Sequence, residues 1–188
     1  MVSAIGILRK EHDAILRMLG FTNELAERMA RGERVAPETL AELLDFFRLF
    51  ADRCHHGKEE DLLFPLLKSK GIPQQGGPIG VMLFEHEEGR SFLRQMELSA
   101  EAYTRGVPDA AKDWASAARS YVALLSLHIA KENNVLFSIA ERLLTEDEQQ
   151  ALAEAFEKVE VEKMGAGTHQ RLHARMERLL GEVSPHQN

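Results

Sequence analysis

The sequence predicts an all-α fold, an up-down four-helix bundle with additional C-terminal helices. Three features of its 188 residues support this fold class. Apolar residues recur with the 3.6-residue period of an amphipathic helix, glycine and proline interrupt that period at only a few places, and no segment alternates as a strand does. Four long helical segments with short connections are typical of an antiparallel bundle.

Several helix boundaries carry recognisable residues. Ser3 is a candidate N-cap for the first helix, and Pro37 suits the first turn of the second. Pro65 lies inside the second segment and should kink or locally break its last turns. Thr145 and Glu148 have the spacing of a capping box that starts a fifth helix. The predicted helical segments are 3–30, 37–70, 79–105, 109–144, 145–164 and 168–180, with a Gly- and Pro-rich loop at 71–78.

The first 144 residues contain an internal repeat. Glu11-His12 recurs 74 residues later as Glu85-His86, and the stretch 54–64 aligns with 127–137 at an offset of 73. Each half then forms a helical hairpin with one histidine on its first helix and a His-x-x-x-Glu motif on its second. We expect a bundle over 1–144, with repeats at about 3–70 and 79–144, followed by a helical extension and polar tail over 145–188.

Composition excludes several classes of protein. The formal net charge is −7, with 30 acidic and 23 basic residues, so a nucleic-acid partner is not expected. No apolar run is long enough for a membrane span, and a single cysteine excludes a disulfide framework or a Cys-rich zinc module. One thiol and no export signal predict a cytoplasmic location. The 8 histidines exceed the usual share and call for an explanation.

The repeated His-x-x-x-Glu spacing favours a metal site. Residues four apart lie about 40° apart around an α-helix, so His55 with Glu59, and His128 with Glu132, can each reach one point. The apolar period places these residues, together with His12 and His86, on inward faces. Carboxylates on apolar stripes are costly unless they are paired or bound to a metal, and no lysine or arginine recurs on those stripes.

A second frame is available on the same helix, because His56 and Glu60 also form a His-x-x-x-Glu pair. Their face carries Asp45, Leu49 and Asp52, which indicates partial solvation, and their repeat counterparts are Ile129 and Asn133. We therefore assign His55 and Glu59 as ligands and expect His56 and Glu60 behind them or at the surface. Lys58 and Lys131 repeat as well, and solvated helix faces explain them.

With these motifs the chain resembles bacterial hemerythrin-like proteins of the HHE cation-binding type. The resemblance rests on Glu11-His12, the run from Cys54 to Pro65, Glu85-His86-Glu87, and His128 to Glu132 followed by Leu136-Phe137, and it covers about 3–144. It implies a four-helix bundle with two iron ions joined by an oxo or hydroxo bridge, although manganese or zinc suits the same donors. The implied metal ligands are His12, His55, Glu59, His86, His128 and Glu132, with both glutamates bridging.

One departure from oxygen-carrying hemerythrins bears on function. Those proteins have five histidine ligands, whereas the set assigned here has four. Two octahedral metals offer about twelve coordination positions, of which this set and a bridging oxygen would leave two open. One open position suits reversible oxygen binding, and two leave room for water, chemistry or another ligand. Tyr121, His169 and His173 are the candidates for a further protein ligand.

The expected function is a di-iron protein that binds O2, NO or peroxide for sensing, storage or scavenging. One alternative is an enzyme acting on peroxide or NO, or an iron donor in cluster repair; another is a bundle held together by a structural metal. No Ser or Cys nucleophile arrangement is visible, so the sequence favours a metal- and oxygen-binding protein over an enzyme. The expected partner is a small diatomic or peroxide ligand, with no nucleic acid and no membrane, and the sequence leaves the oligomeric state open.

Overall fold

Four long helices form the bundle and two further helices pack on its outside. A computed structural model describes residues 3–165 and 167–182, and these ranges contain no strand. The fold class predicted from the sequence is therefore confirmed. The helices are α1 (Ala4–Ala30), α2 (Pro37–Phe46), α3 (Phe64–Ser69), α4 (Pro78–Thr104), α5 (Ala110–Lys131), α6 (Phe137–Leu143), α7 (Glu146–Met164) and α8 (Thr168–Glu182).

Two of the bundle helices contain π-helical turns. The second runs from α2 through π-helical segments at Phe47–His56 and Glu59–Leu63 into α3, and the fourth runs from α5 through Glu132–Leu136 into α6. Pro65 falls in the first turn of α3, directly after π-helical residues, so the change of winding precedes the proline. Both His-x-x-x-Glu motifs lie at these turns, where hydrogen bonds span five residues instead of four.

The predicted caps are present at two helix starts. The Ser3 hydroxyl accepts a hydrogen bond from the Gly6 N–H at 3.0 Å. The Thr145 hydroxyl accepts from the Glu148 N–H at 3.2 Å, and the Glu148 carboxylate accepts from the Thr145 N–H at 3.0 Å. Each bond satisfies a backbone or side-chain group that the helix itself leaves unpaired. The first and fifth helices therefore begin where the sequence predicts.

The bundle core has two apolar layers with a polar layer between them. One layer draws on residues 14–51, 93–129 and 172–179, and the other on residues 4–8, 63–82 and 136–156. The histidines and glutamates of the repeat lie between these layers along every long helix. Water is thus excluded from the polar layer by packed side chains at both ends of the bundle.

The C-terminal helices cover one side of the bundle. α7 packs on α1 and on the π-helical turns, and α8 packs on α1 and α2. Phe156 of α7 is buried in the second apolar layer, and Lys163 crosses close above Gly57, where a Cβ would stand 2.8 Å from the lysine Nζ. None of the described helices is long and apolar enough to cross a lipid bilayer.

Docking of α7 generates a stability prediction. Phe156→Ala should lower the free energy of unfolding by about 3–5 kcal/mol, because it leaves a cavity beneath the helix. Urea unfolding followed by circular dichroism measures this change. Val161 lies on the same helix and is 58% exposed, so Val161→Ala is the matched control and should shift stability by about 0.5 kcal/mol or less. Equal losses in the two variants would contradict the packing described for α7.

Candidate metal centre

Ligand atoms from seven side chains converge in the polar layer, and they fall into two groups. Within each group the atoms lie within 4.8 Å of one another, and Glu59 belongs to both. Every one of these side chains is buried. The first group is His12, His55, Glu59 and Glu132, and the second is His56, Glu59, His86 and His128.

All four long helices contribute to this cluster. His12 comes from α1, His86 from α4 and His128 from α5, while the other members lie on π-helical turns. The structure thus brings together all six side chains that the sequence assigns as ligands, and it adds His56. Since each helix supplies its side chains at the same depth, the internal repeat places two similar sets of donors face to face.

Oxygen atoms behind the histidines fix the orientation of the rings. Three of these oxygens belong to carboxylates and one to the Asn133 amide, and all four are acceptors, so the contacts put the ring proton on Nδ1. The Nδ1–oxygen distances are 2.9 Å from His12 to Asn133, 2.8 Å from His55 to Glu11, 2.6 Å from His86 to Glu60, and 3.0 Å from His128 to Glu85.

The opposite ring nitrogens meet in pairs. Nε2 of His55 lies 2.9 Å from Nε2 of His12, and Nε2 of His86 lies 3.1 Å from Nε2 of His128. Burial lowers the pKa of His55 well below its usual value and that of His86 to about 3, so both rings are neutral near pH 7. With the proton on Nδ1, the Nε2 atoms of His55 and His86 each present a lone pair. A cation between paired ring nitrogens would satisfy them.

Glu59 and Glu132 lie between the histidine groups. All four of their carboxylate oxygens are buried and make no hydrogen bond. Glu132 Oε2 stands 3.1 Å from His12 Nε2 and 3.3 Å from His128 Nε2, so it faces both groups. Burial, aided by the nearby Glu132 carboxylate, raises the pKa of Glu59 well above its usual range. Such unpartnered buried oxygens are costly, and a bound cation would compensate both carboxylates.

His56 departs from the expectation drawn from the sequence. It was expected on a partly solvated face, but it is buried, and its ring stacks on His86 with 3.8 Å between centroids. Burial lowers its pKa to about 3. An α-helix would turn His56 about 100° away from His55. The π-helical turn narrows this angle, and both histidines are buried on the inward side of the helix; this winding was not visible in the sequence. Glu60 lies behind the site, where it accepts from His86.

The expectation that both repeated lysines are solvated is wrong for Lys58. Its ammonium is fully buried between Glu11 and Glu160, and its Nζ lies 2.5 Å from Glu160 Oε1. Lys131 pairs with Glu85 in the same way, but its side chain is 43% exposed. The signal was available in the sequence, because Glu11 and Lys58 recur at the same offsets as the histidines. Each half therefore has a Lys–Glu–His chain, and α7 covers only the first.

The candidates for a further ligand have different places in the structure. Tyr121 packs in the apolar core edge-on to Phe47, with 5.0 Å between ring centroids, and burial raises its pKa well above 10. His173 packs edge-on against Phe50. The side chain of His169, like all of His186, lies outside the part of the chain that the structure describes. His56 is the additional histidine that the structure brings to the cluster.

Comparison with known proteins identifies the family. The sequence model of the Hemerythrin HHE cation binding domain matches residues 3–140. The chain belongs to this hemerythrin family. Over 86 residues it is 37% identical to the iron-sulfur cluster repair protein YtfE of Escherichia coli O1:K1 and, at the same level, to that of Escherichia fergusonii. The match covers 44% of this chain, and the chain spans 39% of the length of either curated relative.

Membership of the hemerythrin family agrees with the donors in the polar layer. The domain is one that binds cations, and imidazole nitrogens with carboxylate oxygens are donors that suit iron, manganese and zinc. The paired Nε2 atoms and the unpartnered carboxylates show where a cation fits. The resemblance noted in the sequence is thereby confirmed at the level of family, fold and metal binding.

The two Lys–Glu–His chains of this hemerythrin-like domain make a matched test. Lys58→Met should lower the free energy of unfolding by about 3–5 kcal/mol, because it leaves the Glu11 carboxylate buried without its counter-charge. Lys131→Met removes the corresponding exposed pair and should cost about 1 kcal/mol or less. Urea unfolding of both variants under identical metal conditions measures the difference. Equal costs would contradict the asymmetric cover by α7.

Proposed function

We propose that the protein holds two iron ions in the polar layer and binds O2, NO or peroxide there. One iron would take His12 and His55, the other would take His56, His86 and His128, and Glu59 and Glu132 would be shared. The observation that carries the proposal is the convergence of five histidines on two buried carboxylates that have no hydrogen-bond partner.

The fifth histidine sharpens the choice between binding and catalysis. Because His56 supplies one more donor than the sequence assignment, two octahedral metals with a bridging oxygen would keep one of about twelve positions open instead of two. That position would belong to the metal with two histidines, His12 and His55. A single open position favours reversible binding of one small ligand over turnover of a larger substrate.

The protein's own side chains prepare the site for a small ligand. The ring of Phe137 stacks on His12 with 5.2 Å between centroids, and the two apolar layers exclude water. Glu11 and Glu85 accept hydrogen bonds from Nδ1 of His55 and His128. These bonds orient both rings and make their Nε2 atoms stronger electron-pair donors to a metal. When bound, iron would supply a change of oxidation state and a Lewis acid.

A second candidate function comes from the relatives. They carry the name iron-sulfur cluster repair protein, which supports NO turnover or donation of iron by this chain as an alternative use of the same centre. The match spans 39% of the relative, so the parts of that protein outside the match do not inform this chain.

A single buried thiol, Cys54, supports a reducing compartment such as the cytoplasm.

Metal analysis and optical spectra test the main proposal. We expect about two irons per chain and charge-transfer bands in air, as imidazole and carboxylate donors suit iron. The bands should change when the reduced protein meets O2 or NO. A chain that folds with zinc alone and shows no gas-dependent spectrum would support the structural alternative. Continuous consumption of NO or peroxide, or loss of iron to an apo cluster protein, would support the second candidate.

The ligand role of His56 has its own test. His56→Ala should lower iron from about two ions to about one, whereas Glu60→Gln should keep both at saturating iron and weaken affinity by about 10–100-fold. Iron content after dialysis at defined free iron measures both effects. His173 lies on the outer helix α8, and its ring packs against Phe50. His173→Ala is therefore the control and should keep full iron occupancy. Full occupancy in His56→Ala would remove His56 from the ligand set.

A further inference from the structure

A group of three carboxylates surrounds Arg90 beside the candidate metal centre. The guanidinium donates from Nε to Asp52 at 2.7 Å, from one terminal nitrogen to Glu60 at 2.7 Å, and from the other to Glu87 at 2.6 Å. The arginine side chain is 24% exposed. The guanidinium, with its single positive charge, therefore lies among three negatively charged carboxylates, at the boundary between solvent and the bundle interior.

The inner wall of this group consists of two histidines of the centre. Glu60 accepts from Nδ1 of His86 at 2.6 Å. Nδ1 of His56 lies 3.5 Å from an Asp52 oxygen, is buried, and makes no hydrogen bond. The carboxylates that hold Arg90 on their outer side thus face the centre on their inner side, and one buried ring nitrogen is aimed at them without a partner.

The three carboxylates around Arg90 are more exposed to solvent than the other carboxylates around the centre. The carboxylate side chains behind His55 and His128 are 5% and 12% exposed, and the Glu59 and Glu132 side chains are fully buried. Asp52 and Glu60 are 28% and 24% exposed, and Glu87 is 68% exposed. Around Arg90, negatively charged oxygen atoms therefore extend from solvent to the histidine ring nitrogens of the centre.

The repeat shows that this arrangement occurs at one of two equivalent helix contacts only. At the repeat offsets, Asp52, His56 and Arg90 correspond to Leu125, Ile129 and Leu16. The contact of the second bundle helix with α4 thus corresponds to the contact of α5 with α1, where these positions are apolar. The three polar residues form a unit that one of these contacts has and the other lacks.

We propose that Asp52, Glu60 and Glu87 form the site through which a divalent cation such as Fe²⁺ enters and leaves the centre, and that Arg90 closes this site. The inference rests on the proposed function, since it takes the buried cluster to be the metal centre. Hard carboxylate oxygens of Asp52 and Glu60 first hold the hydrated cation, the guanidinium moves aside, and the cation passes the rings of His56 and His86 to reach the Nε2 lone pairs of the centre. Arg90 then returns to the three carboxylates.

Metal exchange kinetics test the role of Arg90. Co²⁺ serves as a visible probe, with uptake followed in the metal-free full chain and release followed from the loaded chain into excess chelator. Arg90→Gln should speed both rates by about tenfold, because a monovalent and a divalent cation about 6 Å apart repel by roughly that factor even in water. Arg90→Lys keeps the charge but reaches fewer carboxylates, so its rates should lie between those of the wild type and Arg90→Gln.

Arg48 provides the matched control. It pairs with Glu97 across the same two helices, at 2.7 Å and away from the centre, so Arg48→Gln should leave both rates unchanged. Unchanged rates in Arg90→Gln would overturn the proposal, and so would faster release without faster uptake, which marks a residue that only positions ligands. A wild-type chain that takes up no cation would instead refute the proposed function. If Arg90→Gln is too unstable without metal, Arg90→Lys supplies the uptake rate, and an uptake rate equal to that of the wild type overturns the proposal.

Discussion

The rest of the structure depends on a layer of donor atoms buried between two apolar layers, where a bound cation would satisfy them. Nε2 atoms meet in pairs at 2.9 and 3.1 Å, and four carboxylate oxygens beside them lack hydrogen-bond donors. Two apolar layers isolate these atoms from water, so the cost of burying them is high. A bound cation would lower this cost, and the bundle holds the donors in place against their mutual repulsion.

Around this centre, each donor ring is held from behind. Asn133, Glu11, Glu60 and Glu85 accept from four of the histidines, and three of these carboxylates pair in turn with a lysine or arginine. Such chains fix the tautomer of each ring and link the centre to charged side chains nearer the surface.

The two halves of the repeat are alike in their ligands and unlike in their surroundings. α7 closes the first half with Phe156 and Glu160, which seals the Lys58 chain from solvent. In the second half Lys131 stays partly exposed. His56 of the first half and Arg90 of the second add a polar unit where the second helix meets α4. A near-symmetric set of donors thus becomes two unlike groups, one with two histidines and one with three. Under the proposed function, this difference would leave one open position, at the metal with two histidines.

The sequence by itself determined the helical bundle, the caps, the repeat and six of the seven side chains in the cluster, because these follow from local period and spacing. Only the tertiary structure decided the places of His56 and Lys58. The inward turn of His56 depends on π-helical winding, which the α-helical period does not reveal. The burial of Lys58 depends on where α7 docks, and that contact joins residues about a hundred positions apart.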